Sequence, residues 1–207
     1  MIEGNSESYS IVFLVIRALD RARIPILIVA LTYFIAVAVG IVMVHTGNEF
    51  AITYRDHIVA SAQASPIIIA LDQNDRLRAT ILDFRGNLLG SLADTVAGLG
   101  VIVSFPIIAY RGWIGGIVSI NRTHASRLAD PPEAVYYLSV LVLQLIPYTL
   151  AGGAGVNMGL AYIRPKSHYQ GEKWLSIPQE AIRDVLRIYL LVVPLFMLAS
   201  GWEFFMR

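Results

Sequence analysis

The chain has 207 residues, of which 56% are hydrophobic and 15% are charged, and its formal net charge is +1. Soluble domains average about 25% charged residues, so this composition excludes an ordinary soluble fold. The small net charge leaves no global field to attract nucleic acid, and we expect no nucleic-acid partner. The absence of cysteine excludes disulfides, iron–sulfur clusters, thiolate zinc sites and thiol nucleophiles.

The N-terminal part combines a basic segment with a long apolar run. In residues 9–23 the apolar stretch is too short to cross a bilayer, and basic residues from Arg17 to Arg23 gather at its end. This pattern is typical of a helix in the headgroup region, so we predict an N-terminal interfacial amphipathic helix within residues 1–23. The alternative is a helix packed on a partner subunit. Residues 24–44 carry no charge and predict the first span, because about 20 apolar residues suffice to cross a bilayer.

The next segment, residues 46–83, is mixed and polar, and we predict that it lies outside the membrane. Phe50, Tyr54 and Ile58 recur every four residues, which predicts one face of a short helix. The acidic cluster at residues 72–75 resembles the opening of a calcium loop but lacks the required glycine and closing glutamate. We interpret it as a helix cap and a solvated turn.

Two glycine-rich segments follow. We predict a second span over residues 88–110, a tight turn at Arg111 and Gly112, and a third segment over residues 113–120. The third segment is short, so it predicts either a brief crossing or a re-entrant half-helix that is shielded by protein.

The last two predicted spans are separated by a basic loop. Residues 134–163 carry no charge and predict the fourth span, which we expect to be broken at Pro147 and the glycine pair after it. The loop over residues 164–187 leads to a fifth span over about residues 185–205. The sequence therefore predicts an all-α, polytopic transmembrane helix bundle of about five spans, with residues 24–207 forming one transmembrane domain.

The basic residues also predict an orientation, because cytoplasmic loops are enriched in Lys and Arg. The arginines before the first span and the basic loop at 164–187 both belong in the cytoplasm. Five spans satisfy both placements, whereas four would put one basic region outside. We therefore predict a multi-pass protein of the cell membrane, with a cytoplasmic N-terminus and with residues 46–83 and the C-terminus outside.

Four polar side chains fall within the predicted spans. They are Asn87, Asp94, Gln144 and Asn157. An ionisable group in hydrocarbon is costly, so Asp94 is a functional candidate by default. It could bind a proton or a cation, pair with Arg85 or Arg111, or lie near the outer headgroups. The histidines show no metal-binding spacing and no catalytic signature is present, so we expect no metal, no cofactor and no enzyme activity.

Small residues one helical turn apart occur at three places. They are Gly86 with Gly90, Gly112 with Gly116, and Ala151 with Gly155 and Gly159. Such faces let helix backbones approach closely, which lipid does not otherwise favour. We expect these residues to form helix contacts within the protomer or between protomers.

Several motifs resemble the stage II sporulation protein M family of polytopic membrane proteins. They are Asn87-Leu88-Leu89, Pro106 followed by Gly112 and Gly115, the run from Ala151 to Gly159, and Pro194 with a closing Glu203. Their order covers most of residues 80–205. The chain departs from the family where Gln144 replaces a usual glutamate, where Val140 and Leu141 replace a histidine-glycine pair, and where Arg111 replaces an asparagine.

The resemblance implies a protein that catalyses no reaction and holds peptidoglycan-cleaving enzymes at the membrane. Our first hypothesis is therefore a scaffold or accessory subunit, with the lipid bilayer and other membrane proteins or envelope enzymes as partners, in a homo- or hetero-oligomer. The alternative is a small-solute or ion transporter or channel that uses the broken fourth span and Asp94, with Asn87 or Gln144 binding the substrate.

Overall fold

The computed structural model describes residues 10–164 and 167–206, and these residues are almost entirely helical. The helices are α1 (Ile11–His45), α2 (Glu49–Gln63), α3 (Pro66–Asp72), α4 (Arg76–Gly98), α5 (Ser104–Ile117), α6 (Pro131–Ile163) and α7 (Gln179–Phe205). Short 3-10 turns cover Val101–Val103 and Ser167–Tyr169, and a small hairpin pairs β1 (Lys173–Trp174) with β2 (Ile177–Pro178). The predicted all-α class is confirmed for this part of the chain.

The N-terminal segment and the first predicted span form one helix. The 35 residues of α1 run on through Arg23 and Pro25, where we expected two separate helices. Residues 1–9 of the predicted interfacial segment lie outside the described residues. At 1.5 Å per residue α1 is about 52 Å long, which exceeds a hydrocarbon core of about 30 Å.

The polar segment after α1 contains the short helix that Phe50, Tyr54 and Ile58 predicted, and its helices start with side-chain caps. Asn48 accepts a hydrogen bond from the backbone N–H of Ala51 at 3.0 Å, and Ser65 caps α3 in the same way. Asp75 caps α4 by accepting from the N–H of Arg78 at 3.0 Å. The acidic cluster is therefore a helix end and a cap, as expected.

The break between the second and third predicted segments is displaced. Helix α4 ends at Gly98, the chain turns through residues 99–103, and α5 continues past Arg111 and Gly112. The turn expected at Arg111 and Gly112 is therefore wrong. Glycines 98 and 100 weaken the helix there, and Pro106 lies in the first turn of α5, where its missing N–H costs no hydrogen bond.

Helix α6 is continuous over 33 residues, with Pro147 inside it and no interruption at Gly152 and Gly153. The expected break in the fourth span is absent. Long helices tolerate a proline when neighbouring helices surround the freed backbone groups. Here Gly152 lies against the side chain of Ile108, and Gly153 lies against the backbone of Ile26, so the glycine pair forms a contact surface.

Five helices run in alternating directions between two ends of the bundle, which we name the Arg21 end and the His45 end after residues of α1. Asp83 of α4 meets Ser200 of α7, and Thr95 meets Tyr189, so α4 and α7 are antiparallel. Gln144 meets Glu203, and Ala161 clusters with Ala181, so α6 and α7 are also antiparallel. Helix α5 packs along α1 in the same direction. Gly112 contacts Tyr33, and Gly116, one turn later, contacts Val37, which is one turn later in α1. The loops 46–75 and 118–130 lie at the His45 end.

Three of the described helices are long and apolar enough to cross a membrane, namely α1, α6 and α7, and Val101–Ile117 is a shorter apolar stretch. Large hydrophobic side chains of α1 such as Leu27, Leu31 and Phe34 are exposed on the bundle surface. Exposed apolar faces of this extent are typical of lipid-facing surfaces. The three long apolar helices indicate insertion into a membrane.

Candidate functional site

Glycines bring α1 and α5 into backbone contact. A β-carbon at Gly112 would stand 2.5 Å from the carbonyl oxygen of Tyr33. A β-carbon at Gly116 would stand 2.9 Å from the Cα of Gly40. Any larger residue at these positions would push the two helices apart.

A second small-residue contact joins α4 to α6. A β-carbon at Gly155 would stand 2.7 Å from the Cα of Thr95, and one at Gly159 would stand 2.8 Å from the carbonyl oxygen of Leu99. The Thr95 hydroxyl donates a hydrogen bond to the carbonyl of Ala151 at 3.0 Å. The face of Ala151, Gly155 and Gly159 thus lies directly on the α4 backbone.

The third small-residue pair, Gly86 and Gly90, lies in a different environment. At Gly86 a β-carbon would meet no heavy atom within 4 Å, so this residue makes no close helix contact here. At Gly90 a β-carbon would stand 2.8 Å from the guanidinium of Arg111 and 3.3 Å from the hydroxyl of Tyr148. Gly90 therefore makes room for a charged side chain instead of a helix backbone.

Asp94 forms an ion pair inside the bundle. It is 1% exposed, and its Oδ2 lies 3.0 Å from Nε of Arg111. The guanidinium of Arg111 also lies over the ring of Tyr148, 4.7 Å from its centroid. Of the two partners considered for Asp94, the structure places Arg111 beside it.

A cavity of about 600 Å³ lies between α4, α5, α6 and α7 in the half of the bundle toward the His45 end. Most of α5 packs on α1, and few of its residues touch α6, so a wedge of space remains between them. Its main polar lining residues are Asn87, Arg111, Arg127, Gln144, Tyr148 and Glu203. The cavity ends at Tyr148 on α6, because the next turns of α6 contact the backbone of α4.

The polar residues around the cavity form two hydrogen-bonded groups. Gln144 donates to the carboxylate of Glu203 at 2.8 Å, and Tyr148 donates to Oδ1 of Asn87 at 2.8 Å. Asn87 in turn donates to Asp83 at 2.8 Å. The structure therefore brings together Asn87, Gln144 and Glu203, which the sequence singled out on separate grounds.

Asn157 belongs to another network at the Arg21 end. It donates to the hydroxyl of Tyr169 at 2.7 Å, and Tyr169 donates to Asp184 at 3.0 Å. Asp184 also pairs with Arg21 and with Arg187. Burial raises the pKa of Tyr169 to about 12, so its hydroxyl stays protonated and keeps donating.

The loop over the cavity is held by charged and polar contacts at the His45 end. His124 lies 2.9 Å from Asp56 of α2, and His45 bonds to Ser126 at 2.7 Å. Arg55 is 3% exposed, pairs with Asp56 at 2.7 Å and donates to the carbonyl of Ile120 at 3.2 Å. The hydrogen bonds from Arg55 and His124 hold the pKa of Asp56 below its usual range.

The two prolines of the family resemblance lie away from the cavity. Pro106 is in the first turn of α5, and Pro194 is inside α7. Within residues 10–164 and 167–206, no group of three or more His, Asp or Glu side chains could hold a metal ion.

Sequence reasoning missed two parts of this arrangement. From the sequence, Arg127 is recognisable only as a loop residue, and Asp184 only as a residue at the end of a span. Their roles depend on contacts between residues far apart in the chain, for which a single sequence carries no signal.

No protein-family model matches the chain, and no curated protein or solved structure matches it either.

Proposed function

We propose that the protein is a non-catalytic, multi-pass membrane subunit that holds other proteins of the cell envelope in place. The observation that carries this proposal is the close packing of the bundle between the cavity and the Arg21 end. There α4 and α6 touch through Gly98, Gly155 and Gly159, and Asp94 is neutralised by Arg111. The backbone contact leaves no room there for a side chain larger than glycine, and this close packing supports a structural role. The resemblance to the stage II sporulation protein M family agrees with such a role.

The proposed subunit crosses the membrane five times, through α1, α4, α5, α6 and α7. The alternating directions of these helices support this count, and so does the ion pair that neutralises Asp94 within α4. The arginines at the start of α1 and those of the basic segment before α7 lie at the Arg21 end, and we place that end in the cytoplasm on this ground, although Arg55, Arg76, Arg78, Arg122 and Arg127 lie at the other end. The loops at the His45 end, and the cavity beneath them, then face outward, as does the end of α7.

Recovery of bound partners tests the scaffold role. Tagged wild-type protein and the Gly155→Leu variant are extracted in mild detergent, and co-purifying proteins are identified. We expect discrete membrane or envelope proteins with the wild type and a loss of recovery with Gly155→Leu, with Gly86→Leu as the matched control. A wild type that folds and recovers no specific partner from its native membrane would contradict the scaffold role.

A second candidate function, transport of a small solute or ion, is favoured by the cavity itself. Asn87 and Gln144 line it together, and Asp94 stands directly behind Arg111. Flux of protons and common ions into proteoliposomes tests this candidate. Flux in the wild type that disappears in Asp94→Asn, with partners still recovered, would favour transport over the scaffold role.

A further inference from the structure

Two guanidinium groups lie on the wall of the cavity near the His45 end, and Asp94 neutralises one of them. Arg111 and Arg127 line it, and Glu203 is the carboxylate among its lining residues. Glu203 accepts a hydrogen bond from Gln144 at 2.8 Å. Tyrosine hydroxyls and the amide of Asn87 add neutral groups that can accept or donate. A wall of this kind suits a small ligand with an anionic group and hydrogen-bond donors.

Arg127 holds a donor that the protein leaves unused. Its backbone N–H donates to the carbonyl of Ser119 at 2.8 Å, which fixes the residue at the cavity. The Nε of Arg127 is buried, and it has no hydrogen-bond partner among the residues that the structure describes. A buried donor without an acceptor is costly, and the cost is greater for a charged group. Because Nε has no accessible surface, a ligand in the cavity would instead reach the terminal N–H groups of the same guanidinium, which also have no hydrogen-bond partner among the described residues.

Arg111 can serve the same ligand without leaving Asp94. Its Nε faces the carboxylate of Asp94, but a guanidinium has five N–H donors in a planar fork. The side chain is 31% exposed, and it lines the cavity wall. Asp94 therefore acts as a positioning residue, since it holds the guanidinium at the cavity floor, where one terminal nitrogen lies 3.4 Å from the Tyr148 hydroxyl and further N–H groups remain for a ligand.

We propose that this cavity binds a phosphate or carboxylate group from the outer side of the membrane, held between Arg111 and Arg127. Arginine suits such groups because its planar fork matches two oxygens of an oxyanion. Glu203 and Gln144 favour a ligand that carries hydroxyl or amine donors beside the oxyanion. The source is either a free solute or the headgroup of an anionic phospholipid. The site does not depend on whether the protein is a scaffold or a transporter.

A calorimetric titration and a comparison of melting temperatures test this site and distinguish the two sources of its ligand. The protein is reconstituted in phosphatidylcholine nanodiscs and titrated with inorganic phosphate, which carries both oxyanions and a donor. In parallel, its melting temperature is compared between phosphatidylcholine nanodiscs and nanodiscs that contain phosphatidylglycerol. Heat from phosphate supports a soluble ligand, whereas stabilisation by phosphatidylglycerol alone supports a lipid headgroup.

Variants remove each of the two arginines, and a control variant removes an arginine that does not line the cavity. Arg127→Gln should weaken the response at least about tenfold, because a hydrogen bond to a charged group is lost. Arg122→Gln removes the same charge from an exposed position of the same loop and should change the response less than about twofold. The double variant Asp94→Asn with Arg111→Gln removes the second cation without leaving Asp94 uncompensated. It should fold and also lose the response.

Two results would overturn the proposal. One is a wild type that responds to neither probe. The other is a response that Arg127→Gln and Arg122→Gln reduce equally, since that would indicate general surface charge and not a site.

Discussion

Individual residues decide how closely the helices of this bundle approach. Gly155 and Gly86 both lie in small-residue motifs, yet their surroundings differ completely. A β-carbon added at Gly155 would collide with the backbone of Thr95, whereas one added at Gly86 would meet no heavy atom within 4 Å. A single methyl group therefore has opposite consequences at the two sites.

We expect Gly155→Ala to destabilise the protein by about 1–3 kcal/mol, because overpacking must move the α4 backbone. Gly86→Ala should change stability by less than about 1 kcal/mol and in the favourable direction, because alanine has the higher helix propensity. Thermal unfolding of both variants in the same nanodiscs measures the difference. Equal melting temperatures would remove the α4–α6 contact from the explanation of stability.

The ion pair between Asp94 and Arg111 leads to a second prediction about individual residues. Asp94→Ala leaves the arginine partly buried without its counter-charge, and we expect a loss of about 3 kcal/mol. Adding Arg111→Leu should recover part of that loss, since the uncompensated charge is then gone. A double-mutant cycle on unfolding free energies measures the coupling. Additive effects of the two substitutions would show that the residues do not stabilise each other.

At the scale of elements, α2 and the loop 118–130 form a cover over the cavity. Ile58 and Arg127 line the cavity from these two elements, and the contact between Asp56 and His124 joins them. Aromatic rings hold the other face of α2, where Tyr54 lies 5.2 Å from Trp113 of α5. We therefore expect a ligand to reach the cavity more easily when α2 is less firmly attached.

We expect this attachment to weaken in acid. The pKa of Asp56 is lowered in the folded protein by Arg55 and His124, so its charged form stabilises the folded state. That stabilisation is present above the ordinary aspartate pKa of about 4 and is lost as the pH falls through the lowered pKa. Fluorescence of Trp113, in a background with Trp174→Phe and Trp202→Phe, reports the detachment of α2.

The matched variants for this pH profile are Asp56→Asn and Asp72→Asn. Asp56→Asn should lose the change in signal on acidification, because asparagine does not titrate, while the contacts of Arg55 and Tyr54 still hold α2 at neutral pH. Asp72→Asn removes a carboxylate at the end of α3, away from these contacts, and should keep the wild-type profile. Identical profiles in all three proteins would mean that Asp56 does not hold the cover.

The elements also show what the sequence could and could not predict. Uncharged runs predicted the long helices α1, α6 and α7, because hydropathy depends on composition alone. The break at residues 99–103 was missed, because Arg111 beside Gly112 gave a stronger turn signal than the glycines at 98 and 100. Arg111 stays inside a helix because Asp94 compensates its charge, and that contact joins two helices. The continuity of α6 through Pro147 likewise depends on neighbours that a single sequence does not reveal.

For the whole molecule, the central question is whether the hairpin of α4 and α5 crosses the membrane with the three long apolar helices. Helix α4 carries several charged residues, and α5 has only 14 residues. Packing against α1, α6 and α7 shields both, which is how shorter or more polar helices are accommodated in a bilayer. The turn after α4 lies at the Arg21 end, beside Gly159.

Single-cysteine labelling tests this arrangement most directly, and the natural absence of cysteine makes the background clean. The positions are Ser61, Ile102 and Gln170, all exposed, with Ile102 at 78% in the turn between α4 and α5. With an impermeant thiol reagent on oriented vesicles, we expect Ser61→Cys to react from outside, and Ile102→Cys and Gln170→Cys from the cytoplasmic side. Labelling of Ile102→Cys from the same side as Ser61→Cys would contradict the five-crossing bundle.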